Sequence, residues 1–324
     1  VRDWTKIGLL VLGSLLFLVL GISLGPAQTG SIWDWQSPWI FELRLPRVLL
    51  VFSCGTALAL SGAIAQSLSA NPLADPYFLG TSGGASLGAA VFYLVLPPDW
   101  NGHYWALPLC AMIGGAFVTF LAWRIVARKN GLADPARLLL AGLLLSSVSM
   151  AILSLGYFFF LKEEASRYIL AWTLGSFGTA DWGKAMVLSA IVLISLGLLW
   201  RLRRILPMLD LGSLRAKHLG IDLAKTRLHL LLYMSLLTGT AVAFCGPIGF
   251  VGLMMPHFVR RWVGAVNALH LVFMALSGGL FLLMADTLSR WVYPPAGLPP
   301  GPIMALIGIP FFLYLLSRRH SNFM

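Results

Sequence analysis

The side chains able to do chemistry in this chain are few, and several are arginines in an unexpected place. Arg44 and Arg47 flank Pro46 in ELRLPRVLL, and Arg290 stands four residues after Asp286 in ADTLSR. A guanidinium is a planar, permanently charged fork that matches a carboxylate through two hydrogen bonds. Pro46 fits the first position of a helix, where the positive end of the helix dipole disfavours two cations. Two readings stay open. Glu42 can neutralise one of the first pair locally, and Asp286 can hold Arg290 as an i,i+4 ion pair. Alternatively, the three arginines face outward and wait for carboxylates on a partner.

Other constellations fail on inspection. Gly178 to Lys184, GTADWGK, has the spacing of a phosphate-binding loop, but Ala185 stands where the Mg²⁺-binding hydroxyl belongs, and no strand is read before it. There is no HExxH, no GxSxG and no pair of carboxylates at catalytic spacing. His257, next to Pro256, reads as a structural polar residue near a span end rather than a metal or haem ligand. Cys54, Cys110 and Cys245 are an odd number without metal spacing, which favours small core residues. The expectation is a non-enzyme that binds no metal or cofactor itself.

The elements that carry these residues are membrane helices. The chain has 324 residues, 58% of them hydrophobic and only 11% charged, with a mean hydropathy of +0.84. A soluble domain carries about a quarter charged residues. Spans are read at 6–25, 46–67, 78–96, 105–126, 137–160, 185–203, 228–246, 249–264, 270–291 and 302–317, each near the ~20 residues a bilayer requires. The expectation is an all-α, polytopic protein of about ten transmembrane helices, one membrane domain over 1–324. Ile7 to Leu24 lacks a clear A-x-A site and reads as a retained first helix. Gly62, Gly114, Gly115, Gly278 and Gly279 are expected to let helices approach closely.

Two interruptions stand out. NPLADPYFLGTSGGASLG, Asn71 to Gly88, and CGPIGFVGLMMPHFVRRWVG, Cys245 to Gly264, are rich in Gly and Pro inside membrane-grade sequence. Irregular backbone at membrane depth is tolerated only where protein buries it or a cavity hydrates it. Broken segments at matching places in two halves of a chain point to a transport pathway.

Charge sets the orientation. With ten spans and both termini in the cytoplasm, the inner loops collect most of the 23 basic residues and leave Arg44, Arg47, Lys162, Arg167, Lys184 and Arg290 outside. This bias also accounts for the net charge of +11 without nucleic acid. The largest inner loop, about 204–226 within Arg201 to Arg227, is too apolar for a disordered linker. Leu209, Leu211, Leu214 and Leu219 punctuate its charges, Ser213 fits a helix cap and Gly220 a helix end. Two short amphipathic helices there form either a platform for a cytoplasmic partner or a basic surface lying on anionic headgroups. Deep acidic residues are almost absent, with Asp286 near a span end the clear candidate. A proton-coupled carrier usually needs an intramembrane relay, so a secondary carrier or intramembrane enzyme is the weaker reading, and energy is expected from an ATPase.

Four segments in order carry a family likeness: ELRLPRVLLVFSCGTALALSGAIAQSLSANPLADPYFLGTSGGASLGAA, GPIGFVGLMMPHFVRRWVG, GGLFLLMADTLSR and LPPGPIMALIGIPFFLYLL. Over about Arg44 to Arg319 the chain resembles the FecCD/BtuC-type permeases, membrane subunits of ABC importers for ferric siderophores, haem and cobalamin. The resemblance implies the type II ABC importer permease fold in the bacterial or archaeal inner or plasma membrane. It also implies a homodimer in contact with membrane lipid, two cytoplasmic ABC ATPase subunits that hold ATP and Mg, and a periplasmic or lipoprotein substrate-binding protein. In such permeases outward arginines dock the binding protein, and Arg44, Arg47 and Arg290 match them. The loop Leu209, Leu211, Gly212, Ser213, Leu219 and Gly220 is similar to the helices that couple to the ATPase, with Ser213 where family members often carry an acidic residue. Pro300 replaces the usual aliphatic residue of the family's LPxG. The path of the family runs along the dimer axis past the third, fifth and tenth helices. Thr81, Ser82 and Gly83 are the expected inner gate, and Ser146, Ser147, Ser149 and Ser154 the expected walls. The alternative is that these hydroxyls bond back to helix carbonyls.

Overall fold

The computed structural model describes residues 2–23, 39–95, 105–127, 135–160, 171–210, 213–263, 269–293 and 297–319. Its helices are α1 (Arg2–Ser23), α2 (Leu45–Ser69), α3 (Thr81–Val95), α4 (Ala106–Val126), α5 (Pro135–Phe160), α6 (Trp182–Arg201), α7 (Ile205–Asp210), α8 (Ser213–His218), α9 (Leu223–Cys245), α10 (Val251–Val263), α11 (His270–Val292) and α12 (Pro300–Arg319). No strand occurs among the described residues. Each of the ten expected spans coincides with a helix, and α7 and α8 are the two short helices expected in the basic loop.

Among the described residues, seven helical segments are long and apolar enough to cross a membrane. In α12 the apolar stretch is Pro300–Tyr314. By contrast α3 has 15 residues and α10 only 13, about 22 and 20 Å at 1.5 Å per residue. A bilayer core is about 30 Å thick.

α2 is the hub. One π-helical turn, Ile40–Arg44, runs straight into it, giving a continuous helical segment of 30 residues whose apolar window is 83% buried. It packs against α6, α7, α9, α10 and α11. Small residues make this possible. A Cβ on Gly55 would collide with the Gly278 carbonyl of α11, and one on Gly62 with the Gly252 carbonyl of α10. Without a hydrophobic drive between helices in lipid, such backbone-to-backbone approach supplies the dispersion contacts that hold the bundle. A second layer, α3 on α4 and α5, uses the same device where Gly84 and Gly114 meet.

The outer faces are apolar. Phe158 of α5 is 82% exposed and Leu306 of α12 is 75% exposed. Large apolar side chains facing outward together with a glycine-packed interior suit lipid as solvent. The protein is a multi-pass membrane protein.

Candidate functional site

The arginines expected at a docking face are gathered into one cluster, formed by the end of α1, the start of α2 and the end of α11. Arg47 Nη2 donates to Asp286 Oδ1 at 2.7 Å, and Arg290 Nε lies 3.0 Å from Asp286 Oδ2. Arg290 Nη1 also donates to the carbonyl of Gly21 at 2.8 Å, and Arg44 Nη1 to that of Ile22 at 3.0 Å. Those carbonyls belong to the last turn of α1, whose C-terminal C=O groups lack intrahelical partners and carry the negative end of the dipole. The cations are placed where that field favours them.

The three arginines are thus drawn together at one end of the bundle. Arg44 and Arg290 are buried, and the Asp286 side chain is only 2% exposed. Arg47 is the most open of the three, at 17%. Of the local partners weighed, Asp286 holds Arg290 across one helical turn and also pairs with Arg47, and Glu42 is exposed. Lys184, another apparent exception, is also turned inward. Its Nζ donates to the Thr179 carbonyl at 2.8 Å, and Asp181 caps α6 by accepting from the Lys184 amide at 3.0 Å. The segment with phosphate-loop spacing is thus a helix cap. Lys162 and Arg167 lie outside the described residues.

The two broken segments meet each other. After α2 the chain turns through left-handed Ala70, and Asp75 caps a 3₁₀ turn, Pro76–Leu79, by accepting from the Tyr77 amide at 2.8 Å. Gly80, at φ +89°, then admits α3. In the second break α9 ends at Cys245, and Gly246 and Phe250 both have positive φ, +72° and +69°. The Tyr77 hydroxyl reaches across and donates to the carbonyl of Ile248 at 3.0 Å while accepting from its amide at 3.0 Å. The Ser176 amide takes the Cys245 carbonyl at 2.9 Å, and Gln66 Nε2 takes that of Leu253 at 3.2 Å. Backbone groups freed by the breaks are thereby satisfied inside the protein, as membrane depth requires.

Phe250 is the strained residue of the site. A bulky side chain at positive φ is rare, and such strain, on the order of 1–3 kcal/mol, persists only where its surroundings enforce it. Here its ring occupies the space that a Cβ on Gly308 of α12 would need, and it packs beside Phe312 at 6.4 Å between centroids. The second break is wedged against α12.

The expected gate and wall residues divide. Thr81 is buried, its hydroxyl 3.3 Å from the Pro76 carbonyl, and Gly83 is buried where α3 touches Ser146 of α5. Ser82 is half-buried. The hydroxyls of Ser147, Ser149 and Ser154 donate back to the carbonyls of Leu143, Leu145 and Met150 at 3.1, 2.9 and 2.9 Å. Among these, Ser147 and Ser154 lie on the exposed face of α5, whereas Ser149 is buried. Thr81, Gly83 and Ser149 are thus buried within the chain, and Gly83 packs on Ser146.

The basic loop forms α7 and α8. Leu206 and Leu209 are buried as α7 packs on α2, whereas Leu219 is 57% exposed. Gly220, at φ +81°, ends α8 with its amide 3.0 Å from the Lys217 carbonyl, and the Ile221 amide returns to that of Ala216. Asp222 then caps α9, accepting from the Lys225 amide at 3.2 Å, and that hydrogen bond holds its carboxyl below the ordinary carboxylate value. Leu211 and Gly212 lie outside the described residues, as does the Ser213 side chain.

Sequence reasoning missed Tyr77, Gln66 and Phe250. The available signals were a hydroxyl-bearing aromatic inside a Gly/Pro break, an amide in an apolar span, and an aromatic directly after a Gly-Pro-x-Gly turn.

Known proteins share this design. The chain is 37% identical to the hemin transport system permease protein HmuU of Yersinia pestis, over 97% of both chains. It is 36% identical to the vitamin B12 import system permease protein BtuC of Escherichia coli O127:H6, over 96% of this chain and 94% of that one. Among solved structures, a metal-chelate type ABC transporter in an inward-facing conformation superposes with a TM-score of 0.85 at 29% identity, covering 97% of this chain and 99% of the other. The FecCD transport family profile matches residues 8–318, and the chain belongs to that family.

Proposed function

We propose that this chain is the membrane-spanning permease of an ATP-driven importer that moves a metal chelate, a ferric siderophore or haem, into the cytoplasm, with cobalamin as the alternative cargo. The observation that carries the reading is the pair of broken segments joined back to back by Tyr77 and Ile248, in a chain similar along its length to haem and vitamin B12 permeases. The buried carboxylates described, Asp75 and Asp286, are committed to a turn cap and to two arginines. Neither serves as a proton relay, so the energy comes from a partner ATPase that holds ATP and Mg.

In this reading both termini are cytoplasmic and the Arg47 cluster faces outward. Arg47 is the residue of the three open enough to meet acidic groups of a substrate-binding protein. The exposed apolar faces of α5 and α12 pack on a second copy around a shared path, in which Ser147 and Ser154 supply weak polarity. Two ATPase subunits grip the α7–α8 platform through Leu219, while Leu209 anchors it to α2.

The test is uptake into proteoliposomes containing this chain with its ATPase and binding protein, offered haem, a ferric siderophore and cobalamin in parallel. Accumulation of one, abolished without ATP or without the binding protein, is expected. Stable assembly with no ATP-dependent accumulation of any of the three overturns the cargo, and failure to assemble with an ATPase overturns the class.

A further inference from the structure

The chain just before α6 is stitched to both the second break and α12. Over residues 171–181 it lies at the end of the bundle away from the basic loop, because α6 runs from Trp182 to Arg201 before the chain enters α7, a length of about 30 Å. Ser176, Gly178 and Thr179 are exposed, whereas Phe177 is 2% exposed and set in the core. Two backbone hydrogen bonds tie the segment to other parts of the chain. The Ser176 amide donates to the Cys245 carbonyl at 2.9 Å, and the Gly301 amide donates to the Leu174 carbonyl at 3.0 Å. Cys245 ends α9 at the second break. Gly301 is the second residue of α12, where amides find no partner within the helix.

Three stretches of chain meet there with no room for a side chain between them. A Cβ on Gly246 would collide with the Trp172 carbonyl, and one on Gly301 with the Leu174 carbonyl. Gly175, at φ +79°, lies against Ile248 and Pro300. Ile248 is the residue whose amide and carbonyl are both held by Tyr77 of the first break. A continuous line of backbone contacts therefore runs from Leu174, through the second break, to the first. At its far end the segment is fixed to α6 by Lys184 Nζ on the Thr179 carbonyl.

We propose that segment 171–181, the second break and the first turn of α12 form one latch that opens as a unit, and that Tyr77 carries its state to the first break. The physical reason is shared cost. Each of these hydrogen bonds joins two different stretches of chain, so moving one stretch strands donors or acceptors on the others. Backbone groups left unpartnered away from water are costly. The stretches therefore part together, as cooperative units of a folded chain do. The functional consequence rests on the transport reading above. The strap at 171–181 cannot lift without disturbing the breaks, so the two ends of the path do not open independently.

The test is hydrogen exchange on the full chain in lipid nanodiscs, read at the amides of Ser176, Ile248 and Gly301, with Ala111 of α4 as the reference. It needs no cargo, ATPase or binding protein, so its outcome is separate from that of the uptake assay. In the parent the three amides are expected to show protection within about tenfold of one another, as members of one opening unit do. A wider spread overturns the latch. In Tyr77→Phe the Ile248 amide loses its own acceptor, so the deciding amides are Ser176 and Gly301. Both are expected to exchange about tenfold faster, the size of one hydrogen bond lost from a buried group, while Ala111 keeps the parent rate. Acceleration confined to Ile248, or shared equally by Ala111, overturns the coupling. If Tyr77→Phe fails to fold, the spread among the three amides of the parent decides.

Discussion

The hydroxyl of Tyr77 forms hydrogen bonds with both the carbonyl and the amide of Ile248, each at 3.0 Å. One side chain thus closes two backbone valences opened by the second break and ties it to the first. Tyr77→Phe leaves a buried amide and carbonyl unpartnered, at about 1–3 kcal/mol for such a group. A lower thermal midpoint in detergent is expected, with uptake falling more than ATPase activity does. An unchanged midpoint and unchanged uptake would show that the bridge carries neither stability nor coupling.

Asp286 holds two arginines, and its loss is more severe than the loss of either. Asp286→Asn leaves Arg47 and Arg290 facing each other without a carboxylate, and breaking a buried pair costs about 3–5 kcal/mol. Arg47→Gln is mild by comparison, because Asp286 keeps Arg290. Arg47→Ala, which sets no second carboxylate against Asp286, is expected to weaken binding-protein affinity at least tenfold while the protein remains folded. Expression level, thermal midpoint and a binding titration separate the three outcomes.

Glycine positions offer an internally controlled test of the packing. Gly55→Ala and Gly62→Ala drive a methyl into a backbone carbonyl, and overpacking of this kind costs about 1–3 kcal/mol or more. Gly197 and Gly239 have nothing within 4 Å of a built Cβ, so alanine there is neutral or stabilises by up to about 1 kcal/mol. Equal thermal midpoints for both pairs would contradict the close approach of α2 to α10 and α11.

The platform leucines differ in kind. Leu209 is buried against the bundle and Leu219 is exposed. Leu209→Ala is expected to cost about 2–5 kcal/mol. Leu219→Asp is expected to leave the thermal midpoint unchanged and to abolish stimulation of the ATPase by the permease. Intact stimulation in Leu219→Asp would remove that residue from the coupling surface.

Asp222 gives a pH dependence of known sign. Its carboxyl is held below the ordinary value by the Lys225 amide, so the charged form is favoured in the folded state. Its contribution is present above the unfolded value, near 3.8, and is lost as pH falls through the lower folded one. Asp222→Ala is therefore expected to lower the midpoint at pH 7 and to converge with the parent in acid. A gap that widens in acid would contradict the cap.

The spans were legible because apolar runs of about 20 residues between basic loops leave little alternative. The breaks were legible because Pro76, Gly80, Gly246 and Pro247 have few uses inside a membrane helix. The partners of the arginines were only half legible. Asp286 and Arg290 sit one helical turn apart and could be paired on paper, but Arg47 reaches the same carboxylate across 239 positions, and no local pattern encodes that. The carbonyls of Gly21 and Ile22, which take up Arg290 and Arg44, are backbone groups that every sequence has. The serines of α5 were ambiguous because a hydroxyl that bonds back to its own helix and one that faces a path look alike in sequence.

Where Gly55 and Gly62 of α2 meet the carbonyls of Gly278 and Gly252, α2 has no slack against α11 and α10. Sliding by a fraction of a turn would push backbone into backbone. α2, α10 and α11 are therefore keyed to one another at these points, whereas the outer faces of α5 and α12 are apolar. Phe250, held at positive φ against α12, joins that unit to α12: its backbone can relax only if the ring leaves the space beside Gly308.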